Sequence, residues 1–327
     1  MKIRQLGKTG FMVSEVALGT WQLGGGWGTP FNHELAKETL TEATKNEVNC
    51  FDTADVYSGG LSEEAIGQFT QSMDEKPIVI TKLGRRLERQ DKNLYTKENM
   101  REFILGSIKR LKVSQLDLVL LHCPPSDLYD EPKVFEALDS FKVEGLIKNY
   151  GVSIEKVEDG IKAMKYEGVS AIEVIFNMFR LKPLEKLFPM AKEKNVGIIV
   201  RVPLASGLLT GKYTSKTTFN EKDHRTFNRD GQSFDKGETF SGVDFDLGLK
   251  AVEALKELFQ TDNLIPYALK YILMFDAVST VIPGASKPYQ VKQNIEAINL
   301  APLSMDQMNQ VKAIYDKYIK PSVHPLW

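Results

Sequence analysis

The tightest constraint on the fold is an alternation. Strand-length apolar runs at residues 16–21, 50–52, 78–82, 118–122, 149–153, 171–177, 196–203 and 280–283 are separated by amphipathic segments. Nearly all of these runs are continuous in apolar residues, as in strands buried on both faces, and helices between them make neighbouring strands parallel. Helices are predicted at 34–45, 61–69, 96–111, 132–141, 156–164 and 184–192; within 96–111, Met100, Phe103, Ile104, Ile108 and Leu111 recur at helical spacing. Eight such units close into a (β/α)8 TIM barrel. The competing open sheet announces a dinucleotide site by Gly-x-Gly-x-x-Gly after its first strand. Here the corresponding loop, Gly24-Gly25-Gly26-Trp27-Gly28, lacks that spacing and opens no helix.

Three additions stand outside the alternation. An N-terminal β-hairpin is expected from 2–6 and 12–16 around Gly7-Lys8-Thr9-Gly10. The polar stretch 214–242, a long loop after strand seven, reads as a lid over the barrel mouth or as a flexible surface loop. A capping box, Ser304-Met305-Asp306-Gln307, starts an added C-terminal helix with Val311, Ile314, Tyr315 and Tyr318 on one face. A single barrel domain over 1–327 is therefore expected.

Composition narrows the function. With 42% hydrophobic and 26% charged residues in 327, the chain can bury a large core, and a net charge of -1 gives no reason to expect nucleic acid or an anionic membrane. There is no apolar run of about 18 residues and no signal-peptide core after Met1, so a cytoplasmic protein is expected. Cys50 and Cys123 both fall on expected buried strands, which argues against a disulfide framework and makes Cys123 a packed thiol. The four histidines have no paired spacing, so no metal is expected. Arg85, Arg86 and Arg89 read as a solvated loop cluster.

Three runs end in groups that matter together: Asp52, followed in its loop by Tyr57; Lys82; and His122. Barrel active sites lie at the carboxyl ends of the strands, where all four would meet. A phenol titrates near 10, too high for easy donation, and a neighbouring ammonium lowers that value while a carboxylate keeps the ammonium charged. Tyr57 is then a general acid, and His122 can orient the same oxygen. Such a set suits hydride addition to a small-molecule carbonyl substrate, with a cofactor supplying the hydride. Strand 280–283 runs into Gly284-Ala285-Ser286-Lys287 and a proline-started helix, a phosphate site in which Lys287 favours NADPH (NADP+). The loop from Pro203 to Lys212 contains small residues and glycine, which let backbone approach a pyrophosphate. Trp21, Trp27 and Trp327 are candidate pocket walls.

The motifs Asp52-Thr53-Ala54-Asp55-Val56-Tyr57, Thr81-Lys82, His122, Gly151-Val152-Ser153, Pro203-Leu204-Ala205-Ser206-Gly207 and Gly284-Ala285-Ser286 through Asn294 resemble, in order and over nearly the whole chain, those of the aldo-keto reductases. The likeness is to the branch of bacterial stress reductases and potassium-channel β subunits. It implies an Asp52/Tyr57/Lys82/His122 tetrad. Gly19, Thr20, Trp21 and Asp52 would lie at the nicotinamide, with Ser153 and Asn177 on its carboxamide. Arg201, Val202, Pro203, Leu204, Ala205, Gly207 and Gly284 would line the cofactor, and Ser286, Lys287, Gln290, Gln293 and Asn294 would hold the adenosine phosphate. Arg201 stands where the family commonly has an aromatic platform, so its charge is expected to disfavour the oxidised cofactor. Glu173 replaces a common Gln. The channel-subunit likeness leaves an alternative, an NADP(H)-binding redox sensor or accessory subunit with little turnover.

Overall fold

The computed structural model describes residues 1–26 and 28–327, so Trp27 lies outside the described residues. The expected hairpin is present as β1 (Ile3–Gln5) and β2 (Met12–Ser14), antiparallel with Arg4 opposite Val13. The link between them is a 3-10 turn, Gly7–Thr9. Then come β3 (Leu18–Gly19), β4 (Cys50–Asp52), β5 (Ile78–Leu83), β6 (Leu116–His122), β7 (Ile147–Ile154), β8 (Val169–Ile175), β9 (Gly197–Arg201) and β10 (Val278–Val281). All eight pair in parallel, each with its sequence neighbour. The two edges meet through parallel bridges Val16↔Val281 and Gly19↔Gly284, with Ala17 N–H donating to Val281 O at 2.9 Å. The sheet thus closes into the expected (β/α)8 barrel.

Two apolar cores follow from this closure. Inside the barrel, Cys50, Ile80, Leu118, Leu120, Ala171, Ile199 and Ile282 pack together, and Leu6 and Val13 of the hairpin seal the amino-terminal end. The seal needs glycine at position 7: its φ is +51°, and a methyl there would lie 2.1 Å from Gly197 N. Outside, the strands' other faces bury against the helices, among them His33–Lys45, Leu61–Thr70, Lys97–Leu111 and Pro132–Val143.

Several boundaries differ from expectation. β3 is short because the chain leaves the sheet at Thr20, whose hydroxyl donates to Asp52 O at 2.7 Å. β6 ends at His122, so Cys123 lies just past the strand, half-buried with φ +50°. Two helices, Phe245–Phe259 and Ile265–Leu273, have no counterpart in the sequence reading. The stretch 214–242 is structured, with a short helix His224–Phe227 and 3-10 turns Lys236–Glu238 and Phe240–Gly242. The final helix, Met305–Tyr318, begins at the expected capping box: Gln307 N–H donates to Ser304 Oγ, and Ser304 N–H donates to Gln307 Oε1.

Candidate active site

Side chains alternate faces along a strand, so the residue two beyond an inward apolar one also points inward. Two beyond Cys50, Ile80, Leu120, Gly151, Ala171 and Ile199 stand Asp52, Lys82, His122, Ser153, Glu173 and Arg201. The inner face therefore ends, at the carboxyl rim, in a layer of polar and charged groups above an apolar one. That rim opens into a cavity of about 530 Å³.

Lys82 is the hub. Its fully buried ammonium donates to Asp52 Oδ1 at 2.5 Å, to Thr53 O at 3.1 Å and to Tyr57 Oη at 3.3 Å, and lies 3.4 Å from Glu173 Oε2. Tyr57 reaches it from a tight loop pinned to β5, where Thr53 N–H donates to Ile80 O and Asp55 N–H to Lys82 O. The loop is braced by hydroxyls: Thr53 donates to Ser62, which donates to Thr20 at 2.9 Å. His122 meets the Tyr57 ring edge-on at 6.0 Å, and Trp21 stacks on it at 6.2 Å. All four groups read from strand ends thus share one patch, and Asp52, Tyr57 and His122 line the cavity.

The protonation states follow from burial and neighbours. Burial works against the Lys82 ammonium, but Asp52 and Glu173 outweigh it and hold its pKa above the ordinary value. Burial pushes the Tyr57 phenol up, and Lys82 only partly offsets this. The expected net lowering of the phenol is therefore not found. Burial, then Arg85, Lys82 and Arg201, hold His122 well below its usual range, leaving a neutral imidazole whose Nδ1 is buried without a partner. Asp52 is raised well above the carboxylate range by burial and then by Glu173.

Arg201 and Arg85 are not free charges. Arg201 lies 2.9 Å from Glu155, 3.7 Å from Glu238 and 3.9 Å from Glu173, so the unbalanced positive platform expected there is absent. Arg85 pairs with Glu238 at 2.5 Å and lines the cavity, which corrects its reading as a solvated loop residue. Arg201 Nη2 also lies 3.5 Å from Cys123 Sγ, a basic neighbour the sequence did not reveal. Burial and Glu155 nonetheless push that thiol up to about 12, so it is inert at neutral pH.

The remaining expected cofactor residues divide into two groups. Gly19, Thr20, Trp21, Val202, Pro203, Leu204, Gly207, Gly284 and Gln290 line the cavity. Ala205, Ser153 and Asn177 are buried behind its wall. Ser153 donates to Glu173 at 3.3 Å; Asn177 donates to Val202 O and Ser241 Oγ and accepts from Phe179 N–H. Trp327 is packed on Arg180, away from the cavity.

The cavity's far end suits a phosphate. Gln290 Oε1 accepts from Ser286 N–H, Ser286 Oγ and Lys287 N–H at 2.8 to 3.1 Å, a side-chain partner that an anion can displace. Lys287 is exposed, Gln293 is half-buried, and Asn294 donates to Gly284 O. Gly207, at φ +100°, lets Tyr213 close on the backbone, since a methyl there would lie 2.2 Å from its hydroxyl. The long stretch adds lining that sequence reasoning missed, namely His224, Arg225, Phe234 and Glu238. Arg225 pairs with Asp223 two residues before it, whereas Glu238 meets Arg85 and Arg201 from elsewhere on the rim, an approach that no local pattern marks. Arg85 had a usable signal, its place three residues after Lys82 on the same rim.

A barrel that gathers this set of groups at its carboxyl rim belongs, by comparison with known proteins, among oxidoreductases. Residues 15–316 match the Aldo/keto reductase family, and the chain belongs to it. The family uses a nicotinamide cofactor. The chain is 30% identical to the uncharacterized oxidoreductase YqkF of Bacillus subtilis, over 96% of each chain. It is 26% identical to the NADH-specific methylglyoxal reductase of Escherichia coli, covering 92% of this chain and 94% of that protein. Among solved structures, the holo form of aldo-keto reductase AKR11C1 from Bacillus halodurans superposes with a TM-score of 0.76 at 26% identity, covering 96% of both chains. Glycerol dehydrogenase AKR11B4 from Gluconobacter oxydans gives 0.78 at 25%, covering 97% and 96%.

Proposed function

We propose that the protein reduces aldehyde and ketone carbonyls by hydride transfer from NADPH, with Tyr57 as the proton donor. The observation that carries this reading is the Lys82 ammonium, 3.3 Å from Tyr57 Oη and 2.5 Å from Asp52, at the rim of the cavity. When bound, the nicotinamide supplies the hydride. Tyr57 keeps its proton until a carbonyl oxygen gains charge; an alkoxide is a stronger base than a phenolate, so transfer then runs downhill. The phenolate left behind forms beside a permanent cation. Neutral His122 donates a hydrogen bond to the same oxygen without competing as an acid.

Pro203, Leu204 and Gly207 would border the pyrophosphate, and Ser286, Lys287, Gln290, Gln293 and Asn294 the adenosine phosphate. Ser153 and Asn177 would each have to exchange a present partner to reach a carboxamide. One relative is NADH-specific, so cofactor choice is tested directly. The lysine that favours a 2'-phosphate is Lys287, which is exposed and holds no ion pair among the described residues. Turnover of an aldehyde panel is expected to be faster with NADPH than with NADH, and Lys287→Ala is expected to raise KM for NADPH alone. Tyr57→Phe is expected to lower kcat by about 10² to 10⁴ while cofactor binding persists. Tight cofactor retention with no turnover of any carbonyl would overturn the reductase and favour a sensor.

A further inference from the structure

Glu173 has no part in the tetrad, yet it is 1% exposed, lines the cavity and sits 3.4 Å from the same ammonium as Asp52. Its Oε1 accepts from Ser153 Oγ; its Oε2, like Asp52 Oδ2, has no hydrogen-bond donor although both atoms are buried. Two bare carboxylate oxygens around one ammonium, close enough to hydrogen-bond each other, are one proton short. The wider charge balance agrees. Around Glu173 stand three cations, Lys82 on β5, Arg85 beyond it and Arg201 on β9, whose Nε is 3.9 Å from Glu173. Against them stand four carboxylates, Asp52, Glu173, Glu155 and Glu238. Arg180 and Asp235, which flank Glu155, add one charge of each sign. Tyr57 and His122 add none.

We infer that Glu173 and Asp52 hold one proton between them across Lys82, and that binding of the oxidised, cationic nicotinamide expels that proton to solvent. Glu173 is thereby a positioning residue that sets the charge of the centre. Arg85 and Arg201 are matched by Glu155 and Glu238, so the proton balances the second carboxylate on Lys82 when the ring is neutral; a cationic ring in the same cavity does that instead, and the proton leaves. The inference rests on the nicotinamide reading of the cavity. By linkage, affinity for the oxidised cofactor rises with pH, by up to roughly tenfold per unit while the free site is protonated and the complex is not. Affinity for the reduced cofactor stays level over that range. Glu155, pushed up to about 7 chiefly by burial, is the rival holder of the proton.

The test is proton release in weak buffer with a pH indicator, on adding NADP+ or NADPH to wild type, Glu173→Gln and Glu155→Gln. The two cofactors carry the same phosphates, so their difference reports the ring charge. Expected is release approaching one proton more for NADP+ than for NADPH in wild type and in Glu155→Gln, and no difference in Glu173→Gln. Equal release for both cofactors in wild type, or a difference that survives Glu173→Gln and vanishes in Glu155→Gln, overturns the proposal. A second reading needs no variant: wild-type infrared spectra should show a deuterium-sensitive carboxylic-acid C=O band that NADP+ removes and NADPH leaves, and a band indifferent to both overturns it. Binding of neither cofactor would instead fail the nicotinamide reading itself, and the inference with it.

Discussion

Lys82 spends its three ammonium hydrogens on Asp52, Thr53 O and Tyr57, and a second buried carboxylate, Glu173, lies 3.4 Å from it. Replacing it with Met removes the only cation within ion-pair reach of Asp52 among the described residues. Breaking a buried pair this way costs about 3–5 kcal/mol. The cost should also depend on pH. Without the ammonium, the folded state holds the proton on Asp52 to higher pH, while the unfolded chain gives it up from about pH 4. The penalty is therefore smallest in acid and grows as pH rises. Thermal melts of Lys82→Met against wild type at pH 5 and pH 8 are expected to show the larger loss at pH 8, with reductase activity abolished at both. The four tetrad residues were legible because each ends, or closely follows, an apolar run. The ionic partners of Arg201 were not, since Glu155 and Glu238 come from separate loops whose approach no local pattern encodes.

The element that delivers Tyr57 carries its own strain. In the loop after β4, Asp55 is fully buried, both of its carboxylate oxygens lack a hydrogen-bond donor, and Arg86 is 3.8 Å away. Burial, then the nearby Glu63, push its pKa to about 7. Below about pH 4 the Asp55 carboxyl is protonated folded or unfolded, and it has no effect on the pH slope. Between about 4 and 7 the unfolded chain ionises first, so this group makes stability fall as pH rises; above 7 the loss is complete. Asp55→Asn cannot ionise and should escape the fall. Its gain over wild type is expected to grow from pH 4 to pH 7 and then level off at about 2–4 kcal/mol. Chemical denaturation across that range checks this, and a gain flat with pH would show that Asp55 is already ionised in the fold. The strands flanking this loop were legible in their continuous apolar runs. The helix Phe245–Phe259 buries Ala251, Val252, Leu255 and Phe259 at helical spacing, but no strand separates it from Ile265–Leu273, so the pair falls outside the alternation that marks the other helices.

At the scale of the whole molecule, the cover over the site is held from the far end of the chain. Trp327 is 5% exposed; its ring lies 3.8 Å from the Arg180 guanidinium, and its indole N–H donates to Asp235 Oδ1 at 2.8 Å. Arg180, in the loop after β8, donates in turn to Ser241 O at 3.0 Å, and a methyl on Gly242 would strike the Trp327 ring. One aromatic side chain thus ties the 214–242 stretch to the barrel, and that stretch supplies Arg225, Phe234 and Glu238 to the cavity wall. The barrel's interior core, sealed by the hairpin at the opposite end, does not include Trp327, which belongs only to the outer one. Trp327→Ala should therefore act locally: the cover opens more often while the strands remain folded. Arg225, Arg229 and Lys236 offer trypsin sites within it. Limited digestion is expected to cut 214–242 several-fold faster in Trp327→Ala, with cofactor bound more weakly and the main thermal transition little moved. Trp327→Phe, which keeps a ring over Arg180 but loses the bond to Asp235, should fall between. Cleavage unchanged from wild type would mean that the cover is held by its other ties to the barrel, such as Arg85 to Glu238 and Asn177 to Ser241, and not by Trp327.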